Sequence, residues 1–69
     1  MQRLLRLPDV IERTSLKRST IYDLMEKGLF PRPIKISGAR QNAWLEVEVD
    51  AYIEARIAER GPVVEELAA

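Results

Sequence analysis

Apolar side chains recur at helical spacing in three stretches of the chain and alternate with polar ones in a fourth. Pro8 suits the first turn of a helix, where its missing N–H would have had no partner. Val10, Ile11 and Thr14 follow at helical spacing, which predicts a short helix over about 8–13. Thr14, Ser15 and Leu16 interrupt it, because hydroxyl side chains compete for backbone hydrogen bonds. A second helix is marked by Ile21, Leu24 and Met25 at i, i+3 and i+4, with Ser19, Tyr22, Asp23 and Glu26 turned the other way. Ser15 or Ser19 is expected to cap its start, and Gly28 its end. Pro31 and Pro33 then force extended backbone. Ile34, Lys35, Ile36 and Ser37 alternate like a half-buried strand, Gly38 supplies a turn, and Asn42, Ala43 and Trp44 return as a second strand. From about Val47 the helical period resumes with Val49, Tyr52, Ile53 and Ile57, and Gly61-Pro62 ends it.

Two helices joined by a turn of three or four residues make a helix-turn-helix unit that leaves the second helix on the surface. The expected fold is therefore mainly α with a small β-hairpin: a winged helix-turn-helix of three helices and a two-stranded wing over residues 3–60, followed by a short tail, 61–69. Trp44, Phe30, Leu29, Ile34 and Ile36 are expected in the core, since an aromatic beside apolar neighbours packs more often than it stacks on a base.

Composition narrows the chemistry. Sixty-nine residues make one small domain, too short for a deep catalytic cleft. There is no Cys and no His, which excludes disulfides, thiolate zinc sites, Cys nucleophiles and His bases, so no enzyme, metal or cofactor is expected. At 46% hydrophobic and 32% charged residues the chain reads as soluble rather than disordered or membrane-bound. The Leu4, Leu5, Leu7 cluster is broken by Arg6 and stopped by Pro8, too short for a signal peptide, so a cytoplasmic protein is expected. The net charge is zero, but residues 1–40 hold nine basic and four acidic residues, a net of +5, and the remainder carries −5. That split suits a basic working surface on an acidic support.

Several segments together carry a family likeness: Leu7-Pro8-Asp9-Val10, Lys17-Arg18-Ser19-Thr20-Ile21-Tyr22, Lys27-Gly28-Leu29-Phe30-Pro31, Pro33-Ile34-Lys35-Ile36-Ser37, and Trp44 followed by Glu48-Val49-Asp50-Ala51-Tyr52-Ile53. In this combination, over about Arg3 to Arg60, the chain resembles the AlpA-type phage and prophage regulators. The resemblance implies a relative of MerR-type DNA-binding domains and of phage excisionases, acting on prophage integrase or excision genes.

Reading duplex DNA requires cations at phosphate spacing and an element narrow enough for the roughly 12 Å major groove. The second helix offers both. Lys17 and Arg18 stand at its start, where unpaired N–H groups also attract phosphate, and Ser19, Thr20 and Tyr22 can donate to phosphates or base edges. Arg18 is assigned to a guanine, whose O6 and N7 its fork bonds together for about 1–3 kcal/mol of discrimination. On the hairpin, Lys35 and Ser37 are expected on the outward face and Arg40 near the tip, against flanking backbone or minor groove. Arg3, Arg6 and Arg13 extend the basic surface without an assigned place. Asp23 and Glu26 would repel phosphate and are left out of the site.

Three functions compete on this reading. The first is a sequence-specific DNA-binding regulator of mobile-element genes, bound to double-stranded DNA as a homodimer or in tandem. The second is an excisionase-like recombination directionality factor that bends DNA. The third is a protein-interaction module whose acidic third helix docks on a basic partner such as an integrase or other recombinase.

Overall fold

The computed structural model describes residues 2–38 and 41–61. Along the chain run β1 (Leu4–Leu5), α1 (Leu7–Thr14), α2 (Arg18–Glu26), β2 (Ile34–Ser37), β3 (Gln41–Leu45) and α3 (Glu46–Arg60). Three helices and an antiparallel hairpin make the expected winged helix-turn-helix. The Leu-rich start adds what the apolar pattern did not announce, because β1 pairs antiparallel with β3, Leu4 opposite Leu45 and Leu5 opposite Trp44. The sheet therefore has three strands in the order β1-β3-β2.

The helix ends follow local chemistry. The Asp9 carboxylate accepts the Arg6 N–H at 3.4 Å at the start of α1. At its other end Ser15 takes a left-handed conformation, φ +62°, and donates its N–H to the Ile11 carbonyl at 2.8 Å. The Thr14 hydroxyl donates to the Val10 carbonyl at 2.8 Å and accepts from the Leu16 N–H at 3.3 Å, which shapes the turn into α2. This corrects the expected capping. Ser15 is used up in ending α1, Ser19 lies inside the first turn of α2, and the N-cap is Lys17, whose side chain makes no capping bond. Gly28, at φ +75°, ends α2 as expected: its N–H reaches the Met25 carbonyl and the Leu29 N–H the Leu24 carbonyl, the Schellman pairing.

Leu5, Val10, Ile21, Phe30, Trp44 and Val49 form the core, with Leu7, Ile11, Leu16, Leu24, Met25, Tyr52 and Ile53 half-buried around them. Trp44 is fully enclosed, and its Nε1–H donates to the Pro31 carbonyl at 3.0 Å, fixing the proline connector to β3. Phe30 meets Tyr52 edge to face with ring centres 4.7 Å apart. Three residues expected inside are outside: Leu29 is 60% exposed, Ile34 44% and Ile36 45%. β2 is an edge strand that packs mainly on β3 rather than on a helix, so neither of its faces is covered. Leu29 leaves the core because the left-handed turn at Gly28 swings the chain outward before Phe30 returns to it.

Arg13 ties α1 to α3, with Nη2 at 2.6 Å from Glu46 Oε2 and Nη1 at 3.0 Å from Asp50 Oδ1. Arg3 approaches the same Glu46 oxygen at 3.9 Å, and its carbonyl accepts the Glu46 N–H at 2.8 Å. Partial desolvation works against the Arg13 charge. The pull and hydrogen bonds of Glu46 and then Asp50 outweigh it, so its pKa is raised above the ordinary arginine value. Among the described residues no helix is long and apolar enough to cross a membrane.

Candidate nucleic-acid interface

Of the eight side chains singled out in the sequence, five sit on or at the start of α2. Lys17 is its N-cap, Arg18 its first residue, and both are exposed, as is Ser19. Thr20 is half-buried on a flank. Tyr22 is 39% exposed, and the Arg18 guanidinium lies 5.8 Å from its ring centre, so the two act as one flat, cationic and aromatic unit. α2 thus presents its cations at its N-terminal end.

The hairpin register decides what faces this helix. Ile34 pairs with Ala43, Lys35 with Asn42 and Ser37 with Gln41, with a bulge between Lys35 and Ser37. Directly opposite residues share a face, and so do residues two apart on one strand, which places Lys35, Asn42 and Trp44 together. Lys35 accordingly lines a groove of about 750 Å3 between α2 and the hairpin, with Tyr22, Asp23, Glu26, Arg32 and Asn42. Ser37 is exposed but does not line it, because the bulge breaks the alternation that would have set Lys35 and Ser37 on one outward face. Arg40 lies outside the described residues, as does the tail beyond Gly61.

Beside the groove runs a smaller cleft of about 250 Å3, lined by Arg6, Leu7, Pro8, Arg18, Tyr22, Asn42 and Trp44. Tyr22 and Asn42 border both spaces. The sequence puts Arg6 on the basic surface but leaves it without a place, because nothing local indicates that the N-cap of α1 faces α2, and it offers Asn42 only as a strand residue, because only the register sets it opposite Lys35. Arg32, on the groove wall, reaches back to the Met25 carbonyl at 3.4 Å.

The ion pairs sort the cations. Arg3 and Arg13 are held by acids of α3, Lys27 by Asp23 at 3.1 Å and Arg56 by Glu59. Among the described residues Arg6, Lys17, Arg18, Arg32, Lys35 and Arg60 have no carboxylate within salt-bridge distance. Five of them lie at the start of α1, around α2, on the connector and on the hairpin, and Arg60 stands apart at the far end of α3. Arg3 and Arg13 are therefore structural cations turned toward α3. No cluster of carboxylates suited to a metal ion occurs among the described residues.

A winged helix-turn-helix with most of the unpaired cations of its described residues gathered about the second helix and the wing defines a class of small regulatory modules, and comparison with known sequences gives the family. The profile described as prophage CP4-57 regulatory protein (AlpA) matches residues 3–57, and the chain belongs to that family. It is 46% identical over 59 residues to the uncharacterized protein ORF88 of Enterobacteria phage P4, covering 86% of this chain and 66% of that protein. It is 35% identical over 60 residues to the DNA-binding transcriptional activator AlpA of Escherichia coli strain K12, covering 78% of this chain and 84% of that one. No solved structure matches significantly.

Proposed function

We propose that this chain is a DNA-binding transcriptional regulator of phage or mobile-element genes, with α2 in the major groove and the hairpin on the flanking backbone. The observation that carries the reading is the exposure of Lys17, Arg18 and Lys35 without carboxylate partners among the described residues, on two elements that face each other across one groove. The printed name of the E. coli relative, a DNA-binding transcriptional activator, points the same way. Lys17 and the first-turn N–H groups would take a phosphate, Arg18 a guanine edge, and Ser19, Thr20 and Tyr22 the adjoining sugar, phosphate or base edges. Lys35 would hold the backbone beyond, with Ser37 and Arg40 farther along the wing.

The interaction reading of α3 is weakened, because Glu46 and Asp50 are spent on Arg3 and Arg13 rather than offered to a partner. The test is selection of bound duplexes from a random-sequence pool, followed by salt titration of the winning site against a scrambled one. An enriched motif and a falling affinity with rising salt are expected. The double variant Lys17→Glu/Arg18→Glu should lose on the order of a hundredfold or more, from two charged contacts. Unchanged affinity in that variant would remove α2 from the groove. Fragment mobility that depends on the position of the site would report bending and favour the excisionase-like role.

A further inference from the structure

The groove and the cleft differ in sign, although they share Tyr22 and Asn42. The larger groove carries Arg32 and Lys35 against Asp23 and Glu26, two cations facing two anions. The smaller cleft carries Arg6 and Arg18 and no acid. An anion is therefore attracted to the smaller space, although the larger one faces the wing. We infer that the cleft between the start of α1 and the start of α2 is a seat for one backbone phosphodiester of duplex DNA, held between the Arg6 and Arg18 guanidiniums. This deepens the proposed function and rests on it, with one change: Arg18 is given to the backbone rather than to a guanine edge.

The donors fit that ligand. Two guanidiniums line the cleft, each a planar fork suited to phosphate oxygens, and neither is within salt-bridge distance of a carboxylate among the described residues. Asp9 engages only the backbone N–H of Arg6. The Tyr22 ring supports Arg18 from beneath, and its hydroxyl is a further donor near the phosphate. The Asn42 Oδ1 is enclosed without a hydrogen-bond partner among the described residues, and as an acceptor it gives the phosphate nothing, so the two guanidiniums carry the contact. Leu7, Pro8 and Trp44 form the apolar part of the cleft wall. With one strand's backbone fixed at the N-terminal end of α2, the outer face of that helix is set at a defined depth in the groove, so the cleft acts on affinity and orientation rather than on base choice.

Arg6→Gln tests this on the full chain, by duplex affinity across a salt series on the selected and the scrambled site. The expected result is a roughly tenfold loss near ~0.1 M salt that is equal for both duplexes, with the slope of log affinity against log salt reduced by about one. Arg6→Lys should restore the slope, and Asn42→Asp, which sets a negative charge in the cleft, should lose more than Arg6→Gln. Thermal unfolding of each variant shows whether the fold is kept, and if Arg6→Gln does not fold, the other two decide. A wild-type slope in Arg6→Gln, or a loss confined to the selected sequence, overturns the phosphate seat while leaving α2 as the reading helix. A wild-type chain without salt-sensitive duplex binding overturns the DNA reading and the seat together.

Discussion

Trp44 joins the sheet, the proline connector and the cleft. It is fully enclosed, pairs with Leu5 across the sheet, donates its indole N–H to the Pro31 carbonyl and forms a wall of the cleft. Truncation to Ala should cost about 3–5 kcal/mol, as much as a core of this size supplies at roughly 3–5 kcal/mol. We therefore expect Trp44→Ala to be unfolded at room temperature by circular dichroism, whereas Trp44→Phe should fold with a lowered Tm because the Pro31 carbonyl loses its donor. Arg13 works on charge instead. Its pKa is raised in the fold, so its contribution is complete below the ordinary arginine range and is lost only as pH rises through its raised value. Alkaline titration through the range where a lysine discharges should leave its bridge to Glu46 and Asp50 intact, and Arg13→Lys should become alkali-sensitive in a Tm series across that range. Nothing near Arg13 in the sequence foretells that bridge, because its partners lie 33 and 37 residues away.

Among the elements, α2 is the most legible in the sequence and β1 the least. Ile21, Leu24 and Met25 mark one face of α2, and Gly28 its end. A Cβ at Gly28 would meet nothing within 4 Å, so only the left-handed backbone opposes a side chain there. Gly28→Ala is expected to cost about 1–2 kcal/mol, read as a lower urea midpoint. β1 is two residues long, too short for any period, and exists because β3 offers it an edge. The hairpin was legible as a hairpin but not in its facing. Alternation places Ile34 and Ile36 on a common apolar face, but it cannot say that no helix covers the edge strand, nor that a bulge separates Lys35 from Ser37. Ile36→Thr should accordingly shift stability by no more than about 0.5 kcal/mol, while Ile21→Ala should cost about 2–5 kcal/mol. Chemical denaturation of the two variants side by side checks this. The candidate site was legible where it is local, as at Lys17 and Arg18, and hidden where distant segments meet, as at Arg6 and Asn42.

At the scale of the whole molecule, the neutral net charge conceals a division of labour. The acids of α3 engage Arg13 and approach Arg3, and among the described residues most of the unpaired cations are left at the start of α1, around α2 and on the wing. With one phosphate shared by Arg6 and Arg18 and one each on Lys17 and Lys35, the slope of log affinity against log salt should be about −3 per bound chain. So small a footprint reads few base pairs, and selected duplexes should carry two half-sites about one helical turn apart. A single isolated half-site winning the selection would contradict that arrangement. β3 also passes into α3 at Leu45 and Glu46 with no loop between them. The first turns of α3 then place Glu46 and Asp50 on Arg13 of α1 and Val49 in the core, so the hairpin is anchored to α1 through α3 as well as through the sheet. Fifteen residues of helix at about 1.5 Å each carry α3 roughly 22 Å onward from that junction.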